Sequence, residues 1–145
     1  MLIISHIFYI FGFLFFISNL KILMRFNNYY YLKEWYIKFQ NVTGSRPKSQ
    51  EFRTKEDYVT FKSKNILSIF EIIWLCIGVF TNNWFIFLFL LLVNLIANIN
   101  SSNISIIDRF FSFFYILMKS VIYMILFINE FHLRINLLDV ICSFF

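Results

Sequence analysis

Apolar residues along this chain gather into four runs separated by polar segments. The first run, Leu2 to Leu20, carries no charge, and its strongly polar members are Ser5, His6, Ser18 and Asn19. As a helix rising ~1.5 Å per residue it is about 28 Å long, close to the hydrocarbon thickness of a bilayer. Ile66 to Phe80 and Trp84 to Ala97 are the second and third runs, joined by the tight polar turn Thr81-Asn82-Asn83. Each is ~15 residues, short of the usual ~20 for a span. Flanking residues such as Val59, Phe61 and Ile99, or a locally thinned bilayer, are expected to make up the difference. The fourth run, Phe110 to Ile128, includes Lys119 and ends at Asn129, Glu130, His132 and Arg134.

This pattern predicts an all-α fold: an integral membrane helical bundle of about four transmembrane helices with interfacial amphipathic helices. Residues 1–24 form the first transmembrane helix and residues 25–63 a basic inside-facing loop. Residues 64–99 form a transmembrane hairpin of two helices. Residues 100–145 supply a polar loop, the fourth transmembrane helix and an interfacial C-terminal tail. The first run is expected to be retained as a span. No basic stretch precedes it, it exceeds a usual leader's apolar region, and Lys21 and Arg25 follow instead of a small-x-small site.

Within the polar loop, residues 29–39 read YYYLKEWYIKF. Leu32, Trp35, Tyr36 and Phe39 share one helical face, and Glu34 and Lys38 form an i,i+4 pair on the other. Such a helix beside a span either lies in the membrane interface or packs on protein. Gly44-Ser45-Arg46-Pro47 breaks it. Thr54 with Asp57 resembles a helix N-cap, so a helix is expected from about Lys55 straight into the second run. In the tail, Leu137, Leu138, Ile141, Phe144 and Phe145 alternate with Asn136, Asp139 and Ser143, a segment too short to span.

Composition supports lipid as the solvent. Hydrophobic residues are 60% and charged residues 14%, with 22 Phe, against roughly a quarter charged in soluble domains. A soluble fold of this size could not bury that much apolar surface. The net charge of +5 is concentrated. Residues 21–64 hold ten bases and four acids, so 10 − 4 gives +6 in that segment alone. The positive-inside rule then places the loop on the cytoplasmic or matrix side and both termini opposite. Expected partners are the lipid bilayer, other membrane subunits or copies of the same chain, and anionic lipid headgroups at the basic loop. Acids among the bases argue against nucleic acid. The sequons at Asn41, Asn100 and Asn103 would all face inside and stay unmodified.

No phosphate-binding Gly loop, HExxH, GxSxG or CxxC occurs, and Cys76 and Cys142 have no metal-ligand spacing. Neither catalysis nor any cofactor or metal is expected. The residues with candidate chemistry are the charges within apolar runs. Glu71 lies about seven residues from Lys64, roughly 10 Å in, and Lys119 about ten from Arg109, roughly 15 Å in. At those depths an ion pair between the two runs would neutralise both. Asn94 and Asn98, at i,i+4 on the third run, are expected to make polar contacts between helices. The function these features suggest is a structural or accessory subunit of a larger membrane assembly, either a membrane complex or a lipid-containing virion. A holin-like permeabilising or exclusion protein and a small ion- or proton-coupled transport subunit are the alternatives.

Overall fold

The computed structural model describes residues 2–99, 106–133 and 136–144. The fold is all-α, with no strand among the described residues. Six helices follow in order: α1 (Leu2–Met24), α2 (Phe26–Thr43), α3 (Lys55–Gly78), α4 (Trp84–Ile99), α5 (Ile106–Ile128) and α6 (Leu137–Ser143). A 3-10 turn at Ser49–Glu51 separates α2 from α3, and α5 passes into a π-helical turn, Asn129–Leu133. Two stretches, Leu2–Met24 and Ile107–His132, are long and apolar enough to cross a membrane, and Trp84–Ala97 is a shorter apolar helix.

Local chemistry sets the boundaries. The α1 helix ends where Arg25 leaves helical geometry at φ −118°, ψ 38°, and α2 restarts at once. Gly44 takes φ +69° and returns its N–H to the Gln40 carbonyl, the left-handed C-terminal stop that glycine adopts without a Cβ penalty. Thr54 Oγ1 accepts from the Asp57 N–H at 3.1 Å, and α3 then runs unbroken through both polar and apolar sequence. At its far end Thr81 N–H and Oγ1–H both donate to the Gly78 carbonyl, folding the chain back into α4. That return needs Gly78, because a Cβ there would run into the buried ring of Phe87.

The antiparallel pair α1 and α5 is the spine: Ser5 of α1 meets Glu130, just past the end of α5, and at the other end Arg109 of α5 meets Asn27, just past the end of α1. The α3–α4 hairpin packs beside it. Tyr9, Phe15, Trp74, Leu75, Phe87, Leu90, Tyr123 and Leu126 form the main core, drawn from all four helices. Phe8 stacks on Trp74, which meets Phe87 and Tyr123 edge-on, the offset geometries that aromatic quadrupoles favour. A smaller cluster of Phe26, Tyr30 and Ile116 seats α2 on the start of α5.

The Leu32, Trp35, Tyr36 and Phe39 face of α2 is met by protein. Leu32 is buried, Trp35 packs on Phe52, and Tyr36 on Phe61 of α3. Leu32 is thus covered by the chain itself, and Trp35, Tyr36 and Phe39 stay part-exposed beside their aromatic neighbours. The 3-10 turn brings Phe52 back over α2, where it also touches Tyr58 and Phe61. The sequons at Asn100 and Asn103, the rest of the 100–105 connection, and Arg134 lie outside the described residues.

Candidate functional site

Helix α5 carries the polar side chains that organise the bundle. Asp108, Lys119 and Glu130 are spaced by eleven residues (108 + 11 = 119, 119 + 11 = 130). Eleven residues make slightly more than three full helical turns, so such residues recur close to one stripe of an α-helix. Each meets a different helix. Asp108 Oδ2 accepts from the Tyr30 hydroxyl at 3.0 Å and lies 3.7 Å from Lys33 Nζ, both on α2. Lys119 reaches α3 and Glu130 reaches α1.

The middle tie is the most enclosed. Lys119 Nζ lies 2.8 Å from Glu71 Oε1, with both side chains 12% exposed. The Tyr123 hydroxyl donates to the same carboxylate oxygen. Tyr115, Lys119 and Tyr123 stand at i,i+4 steps along α5 and so face α3 together. The ammonium also sits 5.0 Å from the Tyr115 ring centre. Charge and hydrogen bond thus converge on one half-buried carboxylate, and the Tyr115 ring flanks its ammonium partner, which keeps the pair compensated where an isolated charge is costly.

Below this level, half-buried Lys64 places its Nζ 3.4 Å from the centre of the Tyr29 ring. Lys64 precedes the apolar part of α3. Burial chiefly, then the charges of Lys119 and Lys33, push its ammonium down to about 7, against the opposing pull of Glu71. Burial, followed by Asp108, raises the Tyr29 phenol to about 12. Lys33 donates to Ser112 Oγ at 3.3 Å, extending this basic and aromatic layer to α5.

At the opposite end, the Ser5 hydroxyl donates to Glu130 Oε1 at 2.7 Å, and His6 Nδ1 lies 3.3 Å from that oxygen without hydrogen-bond alignment. His6 also stacks on Phe131. Asn83 Nδ2 donates to the Tyr9 hydroxyl at 2.8 Å, tying the α3–α4 turn to α1. Between this layer and Tyr123 lie Trp74, Leu75, Phe87 and Leu90, each at most 5% exposed. The polar groups therefore occupy separate levels with packed rings and leucines between them, which suits holding helices together better than passing ions along.

The structure brings Glu71 and Lys119 together. Asn94 is half-buried on α4 without a side-chain hydrogen bond among the described residues, and the Asn98 side chain lies outside them. Sequence reading passed over Tyr123, Asp108 and Lys33. The eleven-residue recurrence of charge on α5 was the available signal for Asp108 and Glu130. Among the described residues no group of three His, Cys, Asp or Glu side chains could hold a metal. Comparison with protein-family models, curated proteins and solved structures finds no match to the chain.

Proposed function

We propose that this chain is a non-catalytic four-span membrane protein that serves as a structural or accessory subunit of a larger membrane assembly. The spans are α1, the apolar part of α3 (residues 66–80), α4 and α5. The observation that carries this reading is the outward apolar surface of all four helices around a closed aromatic core. Ile4 is 69% exposed, Ile69 59%, Leu95 59% and Phe114 61%, on α1, α3, α4 and α5 respectively. Contiguous apolar surface on this scale suits lipid or neighbouring subunits. The start of α1, the α3–α4 turn and the end of α5 share one end of the bundle. The basic α2 and the first part of α3 lie toward the other, the arrangement the positive-inside rule favours. Anionic lipid headgroups are the proposed partners of that basic end. Native mass spectrometry of gently solubilised protein tests the subunit role. Co-purifying subunits or multiple copies are expected, and a bare monomer at every protein-to-detergent ratio would sink it.

A transport role has one observation in its favour, the buried Glu71–Lys119–Tyr123 cluster. It requires proton or ion flux in proteoliposomes that Glu71→Gln abolishes. A holin-like role requires the packed core to open, and its sign is abrupt ion leakage on induced expression.

A further inference from the structure

Two adjoining hollows lie along α1, the first sharing Ser5, Asn83 and Glu130 with the polar ties at that end of the bundle. One is a cavity of about 1140 Å³ at the end of the bundle where α1 begins. Its polar lining includes Ser5, Asn82, Asn83, Asn136 and the Glu130 carboxylate, with Trp84 at its edge and no Lys or Arg among the described lining residues. The other is a groove of about 580 Å³ between α1 and α3, walled by Ile7, Phe11 and Leu14 on one side and Leu67, Phe70 and Ile73 on the other. Ile4, Phe8 and Ile77 line both, so the polar cavity opens directly into the apolar groove.

From this continuity we infer that the two hollows form one binding site for a lipid with a primary-ammonium headgroup, of the phosphatidylethanolamine class. The inference rests on the membrane reading above. Length fits first: from Ile4 to Phe15 the groove follows eleven helical steps, about 16 Å, close to half of a ~30 Å hydrocarbon core, one leaflet's acyl depth. Charge fits next. Among the described residues the lining offers a carboxylate and several amide oxygens and no Lys or Arg, which disfavours an anionic headgroup. A primary ammonium donates up to three hydrogen bonds to such acceptors, and a choline headgroup donates none. Side-chain amide N–H groups of the lining suit the phosphate oxygens.

Trp74 walls the groove and supplies the readout. The full chain carrying Trp35→Phe and Trp84→Phe, so that Trp74 is its sole tryptophan, is placed in phosphatidylcholine nanodiscs. Increasing fractions of mid-chain-brominated phosphatidylethanolamine or phosphatidylcholine are then added. Trp74 quenching by the ethanolamine lipid should saturate at a roughly tenfold lower fraction, the size of one charge-assisted hydrogen bond. Glu130→Gln should erase that preference while quenching by bulk lipid persists. Ile73→Phe, which narrows the groove and leaves Glu130 in place, should lower quenching by the ethanolamine lipid toward the choline level. Identical curves for the two headgroups in the parent protein, or a preference that survives both substitutions, would overturn the inference. No quenching by any brominated lipid would instead strike down the membrane reading itself.

Discussion

Glu71 accepts from Lys119 and Tyr123 on one oxygen, with both charged side chains largely enclosed. Removing one member of such a pair is worse than removing both, because the survivor keeps its charge. Glu71→Gln and Lys119→Met should each destabilise the protein by about 2–4 kcal/mol, in line with buried-pair and insertion costs. The double variant should recover most of that loss, since Gln still accepts from Tyr123. Thermal unfolding in detergent, read as a double-mutant cycle, measures the coupling; additive losses would show that the two charges do not depend on each other. Lys64 gives a pH signature. Its folded ammonium titrates at about 7, whereas in the unfolded chain a lysine titrates near ~10.4. Between those values the unfolded chain holds the additional proton, so stability is lowest below about 7 and rises with pH toward about 10. Tyr29, raised to about 12, stays neutral throughout that window. The melting midpoint should therefore climb across the window in the parent protein, and Lys64→Gln should flatten the climb.

The helices themselves were the legible part of the sequence, because apolar runs and the cap at Thr54 are local signals. The α3 helix begins at Lys55 and passes into the apolar run without a break. What stayed hidden depends on residues distant in sequence or on geometry without a strong marker. The break at Arg25 involves neither Gly nor Pro. The covering of the α2 face comes from Phe52 and Phe61, which the chain must fold back to deliver. The π-turn at Asn129–Leu133 follows sequence that continues the α5 pattern; inserted turns of this kind re-aim side chains, and here Glu130 faces α1. Close approach was equally silent. Gly78 lies against Phe87, a residue with no exposed surface and so little room to move. Gly78→Ala should cost about 1–3 kcal/mol, the usual range for overpacking, with helix content by circular dichroism retained. A neutral effect would mean the α3–α4 turn can shift to make room.

For the molecule as a whole, the charge asymmetry and the placement of the helix ends lead to one topological expectation. In a Cys76→Ser, Cys142→Ser background, Lys48→Cys and Asn82→Cys should react with a membrane-impermeant thiol reagent from opposite sides. Sealed vesicles of both orientations provide the measurement, and labelling of both positions from the same side would contradict a four-span arrangement. The site was half-readable at this scale. Depth counting pairs Glu71 with Lys119, but which helices touch which is a property of the assembled bundle, and so Tyr123 and the tie from Tyr9 to Asn83 emerge only there.

Adjacent residues of α1 hold the hairpin in two different ways. The Trp74 indole donates to the Phe8 carbonyl at 2.9 Å, and the next residue, Tyr9, receives Asn83. The first is a pin on sliding: moving α3 by one helical turn, ~5.4 Å, would carry the indole past its acceptor. The second is a stop on swivelling, since it lies at the hairpin's tip, where a small rotation produces the largest displacement. Two neighbouring positions on a single helix thus oppose both of the motions, sliding and swivelling, by which the hairpin could leave its seat.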